Sequence, residues 1–279
     1  MISKKGFGKY SHNRHDYLKN VMILMQSGKI LEAEEILLSL KTKRVLNHIG
    51  FHILAIISRT KSDYSLALEY LNQSLKLNPL YADAYSDIGA LYIEMNNIPL
   101  AIKYLQKSLE INPNKLSPNN NLGVSFRKLG KLQLALKFFF KALDIDLNNS
   151  GLHFSIGQIY DELDDFEKAI LHYKKSVLLD EKNGNALISL YAMYLKTFDW
   201  NSINKISSKL DNFGTESFQG GQPMTLLFHI DDPYKQKLIA KNFFNNVFKR
   251  KVLNHKFTKN KKIRIGYISN NFVMHPVSF

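Results

Sequence analysis

One alanine recurs every 34 residues along this chain: Ala33, Ala67, Ala101, Ala135 and Ala169. Four residues after each stands a large side chain, Leu37, Leu71, Leu105, Phe139 and Tyr173. Three further on come Leu40, Ser74, Ser108, Ala142 and Ser176. Upstream, the same register holds Gly89, Gly123 and Gly157, the apolar set Leu54, Ile88, Leu122 and Ile156, and the aromatic set Tyr92, Phe126 and Tyr160. A period of this length marks stacked supersecondary units, none of which can bury its apolar face alone.

The residue types say what each unit is. A small residue in a leading helix (Gly89, Gly123, Gly157) and an alanine in a following helix let two antiparallel helices cross closely. The large residues are expected to fill the gap between one unit and the next. Asn78-Pro79 and Asn112-Pro113 are expected to end the second helix and set the turn. The pattern resembles the tetratricopeptide repeat (TPR), and the resemblance implies an all-α superhelix of helix-turn-helix units. The units run 14–47, 48–81, 82–115, 116–149 and 150–183, with Val21 at the small position of the first. A sixth, 184–217, keeps Leu187, Leu190 and Tyr194 but has Ile203 for the alanine and Ser207 for the large residue. It is expected to be a degenerate capping repeat.

Composition narrows the chemistry. The chain has 279 residues and 45% hydrophobic content, enough for a sizeable core. It has no cysteine, which excludes disulfides, thiolate-bound zinc and thiol nucleophiles. That fits a reducing cytosol, so a cytoplasmic location is expected. Met1 to Tyr17 is basic, with no apolar core of a secretory signal. No run approaches the roughly 18 apolar residues that a membrane span needs. The net charge of +14 would attract nucleic acid, anionic lipid or an acidic partner. The basic residues are spread over most of the chain and no aromatic-interleaved RNA motif occurs, so nucleic acid is not the expected partner.

From Phe213 the texture changes. Gly214 and Gln219-Gly220-Gly221-Gln222-Pro223 read as irregular linker. Asp231-Asp232-Pro233 reads as a helix start, with a helix from Tyr234 to about Leu253. After a basic loop, Ile263 to Ser269 reads as a short β-branched strand. Everything before it is helical, so this strand is expected to open an α/β domain. The expected organisation is a basic tail 1–13, a solenoid 14–217, a linker and helix 218–258, and a truncated start of a further region 259–279.

The last segment, Ile263-Arg264-Ile265-Gly266-Tyr267-Ile268-Ser269-Asn270-Asn271-Phe272-Val273-Met274-His275-Pro276, resembles the opening of the catalytic region in SPINDLY-like O-linked N-acetylglucosamine transferases. Arg264, Gly266, Tyr267, Ser269, Phe272, His275 and Pro276 stand in matching places, and Asn271 replaces the family's aspartate. The resemblance implies transfer of N-acetylglucosamine from UDP-GlcNAc to Ser or Thr of proteins, within two Rossmann-like halves. His275 is the one catalytic residue it carries over, a histidine near sugar and acceptor. Since the donor-binding region would follow Phe279, this chain is expected to be inactive alone and to hold no cofactor itself.

The resemblance also implies a peptide-binding groove lined by one asparagine per unit. The matching places here are Asp87, Asn121, Ser155 and Ser189, of which Asn121 keeps the type. Leading-helix spacing adds Asn120, Val124, Arg127, Phe154, Gln158 and Asp161 to the same face. The expected partner is thus a protein or peptide in the groove. The chain is either the substrate-recruiting part of such a transferase or a free-standing adaptor.

Other signals are weaker. His12 and His15 have metal-like spacing, but only Asp16 stands near to complete a set. Asp161-Glu162-Leu163-Asp164-Asp165 lacks the alternation of a calcium loop and reads as a solvated turn. Lys249 to Arg264 carries eight basic residues and reads as a solvated linker. In Phe138-Phe139-Phe140, Phe139 is a core position.

Overall fold

The structure, a computed structural model, describes residues 16–211, 213, 214 and 230–247. The described residues form thirteen helices and no strand. Six pairs follow one another. They are α1 (Asp16–Gln26) with α2 (Ile30–Thr42), α3 (His48–Thr60) with α4 (Tyr64–Leu77), and α5 (Ala82–Glu94) with α6 (Ile98–Ile111). Then come α7 (Leu116–Lys128) with α8 (Leu132–Ile145), α9 (Ser150–Glu162) with α10 (Phe166–Leu179), and α11 (Gly184–Lys196) with α12 (Trp200–Leu210). A last helix, α13, spans Pro233–Val247. Each second helix packs on the first helix of its own unit and on the first helix of the next, and α5 also meets α7. This is the all-α stack that the period dictates.

Inside a unit the core is a size match. Ala33, Ala67, Ala101, Ala135 and Ala169 are fully buried. A Cβ on Gly89 would stand 2.5 Å from Leu105, and one on Gly123 or Gly157 would stand 2.7 Å from the ring of Phe139 or Tyr173. The large residue therefore lies over the glycine of its own unit, rather than filling the space between units as the sequence suggested. The hydroxyls of Ser74, Ser108 and Ser176 add a tie, donating to the carbonyls of His48, Ala82 and Ser150 at 2.8–2.9 Å.

Both turns repeat as well. Between paired helices, Gly28, Ser62, Asn96, Gly130, Asp164 and Phe198 all have φ between +55° and +76°. The next residue starts the second helix. There Asp63, Asn97, Asp165 and Asp199 each accept from the third amide beyond, satisfying a donor the helix leaves open. Lys29 and Lys131 hold the same place without a side-chain cap. Between units, Asn78, Asn112, Asp146 and Asp180 accept from the amide two residues on. Leu147 and Glu181 stand where two other units have proline. The carboxamide or carboxylate turn, not the proline, is the common device.

The sixth unit departs from the repeat, as its sequence indicated. It is a regular pair in register, but its sizes are exchanged. Tyr191 occupies the glycine position at 1% exposure, while Ser207 occupies the position of Leu105, Phe139 and Tyr173. The bulk that the second helix supplies elsewhere comes here from the first. Beyond it, Ile230 and Ile239 join the cluster of Leu210 and Phe213, and Asn242 donates to the Gly214 carbonyl at 2.8 Å. Asp232 caps α13 by accepting from Tyr234 and Lys235, with Pro233 first in the helix, as its sequence indicated. The expected strand at 263–269 lies outside the described residues, as does His275.

Candidate peptide-binding face

The first helices of successive units share one face, and polar side chains stitch it together at a separation of 35 residues. His52 pairs with Asp87 at 2.7 Å, Arg59 with Glu94 at 2.9 Å, Arg127 with Glu162 at 2.7 Å and Asp161 with Lys196 at 2.5 Å. The offset is one repeat plus one residue, so each bond joins equivalent turns of neighbouring helices. Arg127 also donates to Gln158 at 2.6 Å. These pairs are partly exposed, so each contributes little alone.

Most side chains assigned to the groove from sequence are thereby occupied. Asp87 accepts from His52 Nε2, which leaves His52 Nδ1 to accept from the Tyr81 hydroxyl at 2.9 Å. Burial, with the nearby charges of Asp83 and Asp87, pushes the Tyr81 hydroxyl up to about 12. A hydroxyl held protonated is the reverse of an activated nucleophile, so this Tyr-His-Asp chain serves to orient Asp87. Ser155 donates back to the Gly151 carbonyl at 3.0 Å, within its own helix. Ser189 bonds the Tyr173 hydroxyl, whose ionisation burial pushes up. Phe154 packs on the Tyr173 ring with centroids 5.8 Å apart. Arg127, Gln158 and Asp161 are held in the inter-unit pairs.

Asn120 and Asn121 differ. Both are half-buried on α7, and neither side chain hydrogen-bonds another described residue. Val124, a turn further along α7, is half-buried beside them. A free carboxamide offers one acceptor and two donors, the complement of a peptide unit. No group of three or more acidic or histidine side chains among the described residues could hold a metal ion. No described helix is long and apolar enough to cross a membrane.

Sequence reasoning missed the pairing ladder because a charge at one position says nothing about a partner one repeat away. The offset of 35 was available as a signal, since Arg59, Arg127 and Asp161 each find a polar residue of complementary kind there. It also missed a buried histidine pair in the fifth unit. His153 and His172 meet Nδ1 to Nδ1 at 3.0 Å, in the place where the second unit has Phe51 and Tyr70.

Comparison with known proteins bears on the fold. Residues 82–115, 116–149 and 150–183 match models of the tetratricopeptide repeat. No curated protein sequence matches the chain. PilF of Pseudomonas aeruginosa superposes with a TM-score of 0.64 at 16% identity, covering 82% of this chain and 97% of its own. The Cut9–Hcn1 hetero-tetramer of the APC/C gives 0.63 at 18% identity, covering 84% and 44%. MamA from Desulfovibrio magneticus RS-1 gives 0.52 at 18% identity, covering 58% and 92%. At such identities the likeness concerns architecture alone. With the period, the helix pairs and the matched models in agreement, the chain is a solenoid of tetratricopeptide repeats.

Proposed function

We propose that the chain is a protein-binding scaffold that holds an extended segment of a partner along its first-helix face, with Asn120 and Asn121 as the hydrogen-bonding centre. The observation that carries this is their carboxamides, without a hydrogen-bond partner among the described residues, on a face whose other polar side chains are largely spent on one another. Repeat solenoids use such extended faces to bind protein partners. One structural neighbour, Cut9–Hcn1, is itself a hetero-tetramer. The test is a peptide selected from a random displayed library on the immobilised chain. Asn120→Ala/Asn121→Ala should weaken its binding about tenfold, the worth of one or two lost hydrogen bonds, without changing helicity. An unchanged affinity sinks the reading.

A second reading rests on the sequence motif from Arg264 to Pro276. In it the scaffold is the substrate-recruiting part of an O-linked N-acetylglucosamine transferase-like enzyme of the cytoplasm, and the groove holds the acceptor protein. The purified chain should then give no product from UDP-GlcNAc. The reading frame beyond Phe279 should encode a nucleotide-sugar-binding region, and its absence there in every frame refutes this reading.

A further inference from the structure

The charge that looked evenly spread in sequence falls on one register of the fold. Lys107, Lys141, Lys175 and Lys209 are 34 residues apart, at the same place on α6, α8, α10 and α12. One turn earlier stand Lys103, Lys137 and Lys205, with Leu171 at the remaining place. All seven lysines are exposed. Lys107 pairs with Glu110 and Lys209 with Glu181, while the others have no ion pair among the described residues.

The stripe also has a direction. Helix α2 carries one lysine against three glutamates. Helices α8, α10 and α12 together carry seven lysines (Lys168 and Lys174 included) against Asp144 and Glu167. In the middle of this run, Leu171 and Leu178 lie on the helix face of Lys175, at 50% and 82% exposure. Leu178 stands where the third and fourth units have Glu110 and Asp144. An apolar side chain stands in place of an acid at the centre of this lysine stripe.

We propose that the second-helix face of the third to sixth units docks on an anionic membrane surface. Lysines of one sign draw such a chain to acidic headgroups, and Leu171 and Leu178 enter the acyl boundary between them. The leucines favour this over an acidic peptide, because a peptide is gripped in a pocket, and Leu171 and Leu178 lie exposed outside the cavity that Lys141 lines with Glu110, Phe138 and Asp144, whose two carboxylates would repel an acidic peptide. They favour it over nucleic acid too. A sugar–phosphate backbone gives exposed leucines nothing to bury in, and the stripe has no arginine for bidentate phosphate contacts. The peptide-binding face lies on the opposite helices, so both surfaces can be occupied together.

The test is co-sedimentation of the full chain with vesicles of phosphatidylcholine, alone or with about one-third phosphatidylserine. The chain should sediment with the mixed vesicles and stay free of the neutral ones. Lys137→Glu/Lys141→Glu should weaken that partitioning at least about tenfold with helicity unchanged. Leu171→Ser/Leu178→Ser should make the remaining binding more sensitive to salt. Equal sedimentation with neutral vesicles, or insensitivity to both variants, overturns the proposal. So does binding of duplex DNA or polyglutamate by a chain that ignores the vesicles.

Discussion

The histidine pair of the fifth unit makes the solenoid sensitive to mild acid, by an amount that follows from its geometry. His153 Nε2 lies 3.3 Å from the Leu147 carbonyl, which can only accept, so that nitrogen carries the proton. Neutral His153 then has a bare Nδ1, and His172 donates to it from its own Nδ1 at 3.0 Å. Protonating His153 turns this acceptor into a donor and sets two N–H groups against each other, whereas protonating His172 leaves the bond in place and puts a charge on a buried ring. Burial, the neighbouring His153 and the charge of Lys175 lower His172 to about 4, and burial lowers His153 in the same direction.

The sign follows. A folded pKa below the unfolded value means that the unfolded chain takes up a proton first, so stability is complete above about pH 6.5 and is lost as pH falls toward 4. For His172 alone the loss amounts to about 2 kcal/mol at pH 5 and about 3 kcal/mol at pH 4. Asp165 and Asp199 are held below the usual carboxylate range by their bonds to Lys168 and Ser202, so they titrate beneath this window. Urea titrations followed by circular dichroism at several pH values read the effect as a falling midpoint. His153→Phe/His172→Tyr rebuilds the pair as the second unit has it and should flatten the midpoint between pH 6.5 and 4. An equal acid slope in the variant refutes the argument.

Three further outcomes follow from the repeat geometry and are read by the same titration at neutral pH. Lys131→Asp supplies the cap that four other units have and should stabilise by about 1 kcal/mol; no gain would mean that the open amide is already solvated. Phe198→Gly relieves a side chain held at φ +55° while 72% exposed, and should stabilise by roughly 1 kcal/mol, whereas a loss would show that the ring packs usefully. Gly157→Ala places a methyl group 2.7 Å from the Tyr173 ring and should destabilise by about 1–3 kcal/mol, and neutrality there would contradict the close crossing.

The stack was legible from sequence because each unit repeats the same steric problem, a glycine or alanine where helices cross. The cap of α13 was legible because Asp232-Pro233 has a local physical meaning. The turns were not. Gly28, Ser62, Asn96, Gly130, Asp164 and Phe198 share a backbone conformation but no chemistry, so the period is invisible in their side chains. In the sixth unit the spacing showed Ser207 as a departure but not what offsets it. Ser207 reads as a loss by itself and as one exchange once it is paired with Tyr191. For the groove, spacing placed Arg127, Gln158 and Asp161 on the first helices, but could not say that their polar groups are spent on neighbouring units. Asn120 and Asn121 stand out only when those partners are known.

On the proposed reading, partners lie against the first helices at Asn121. A photo-crosslinking residue placed there, and in a second variant at Lys141 on the second-helix face, tests this with the library-selected peptide. Crosslinks from position 121 and none from 141 are the predicted result. Crosslinks from 141 and none from 121 would contradict it.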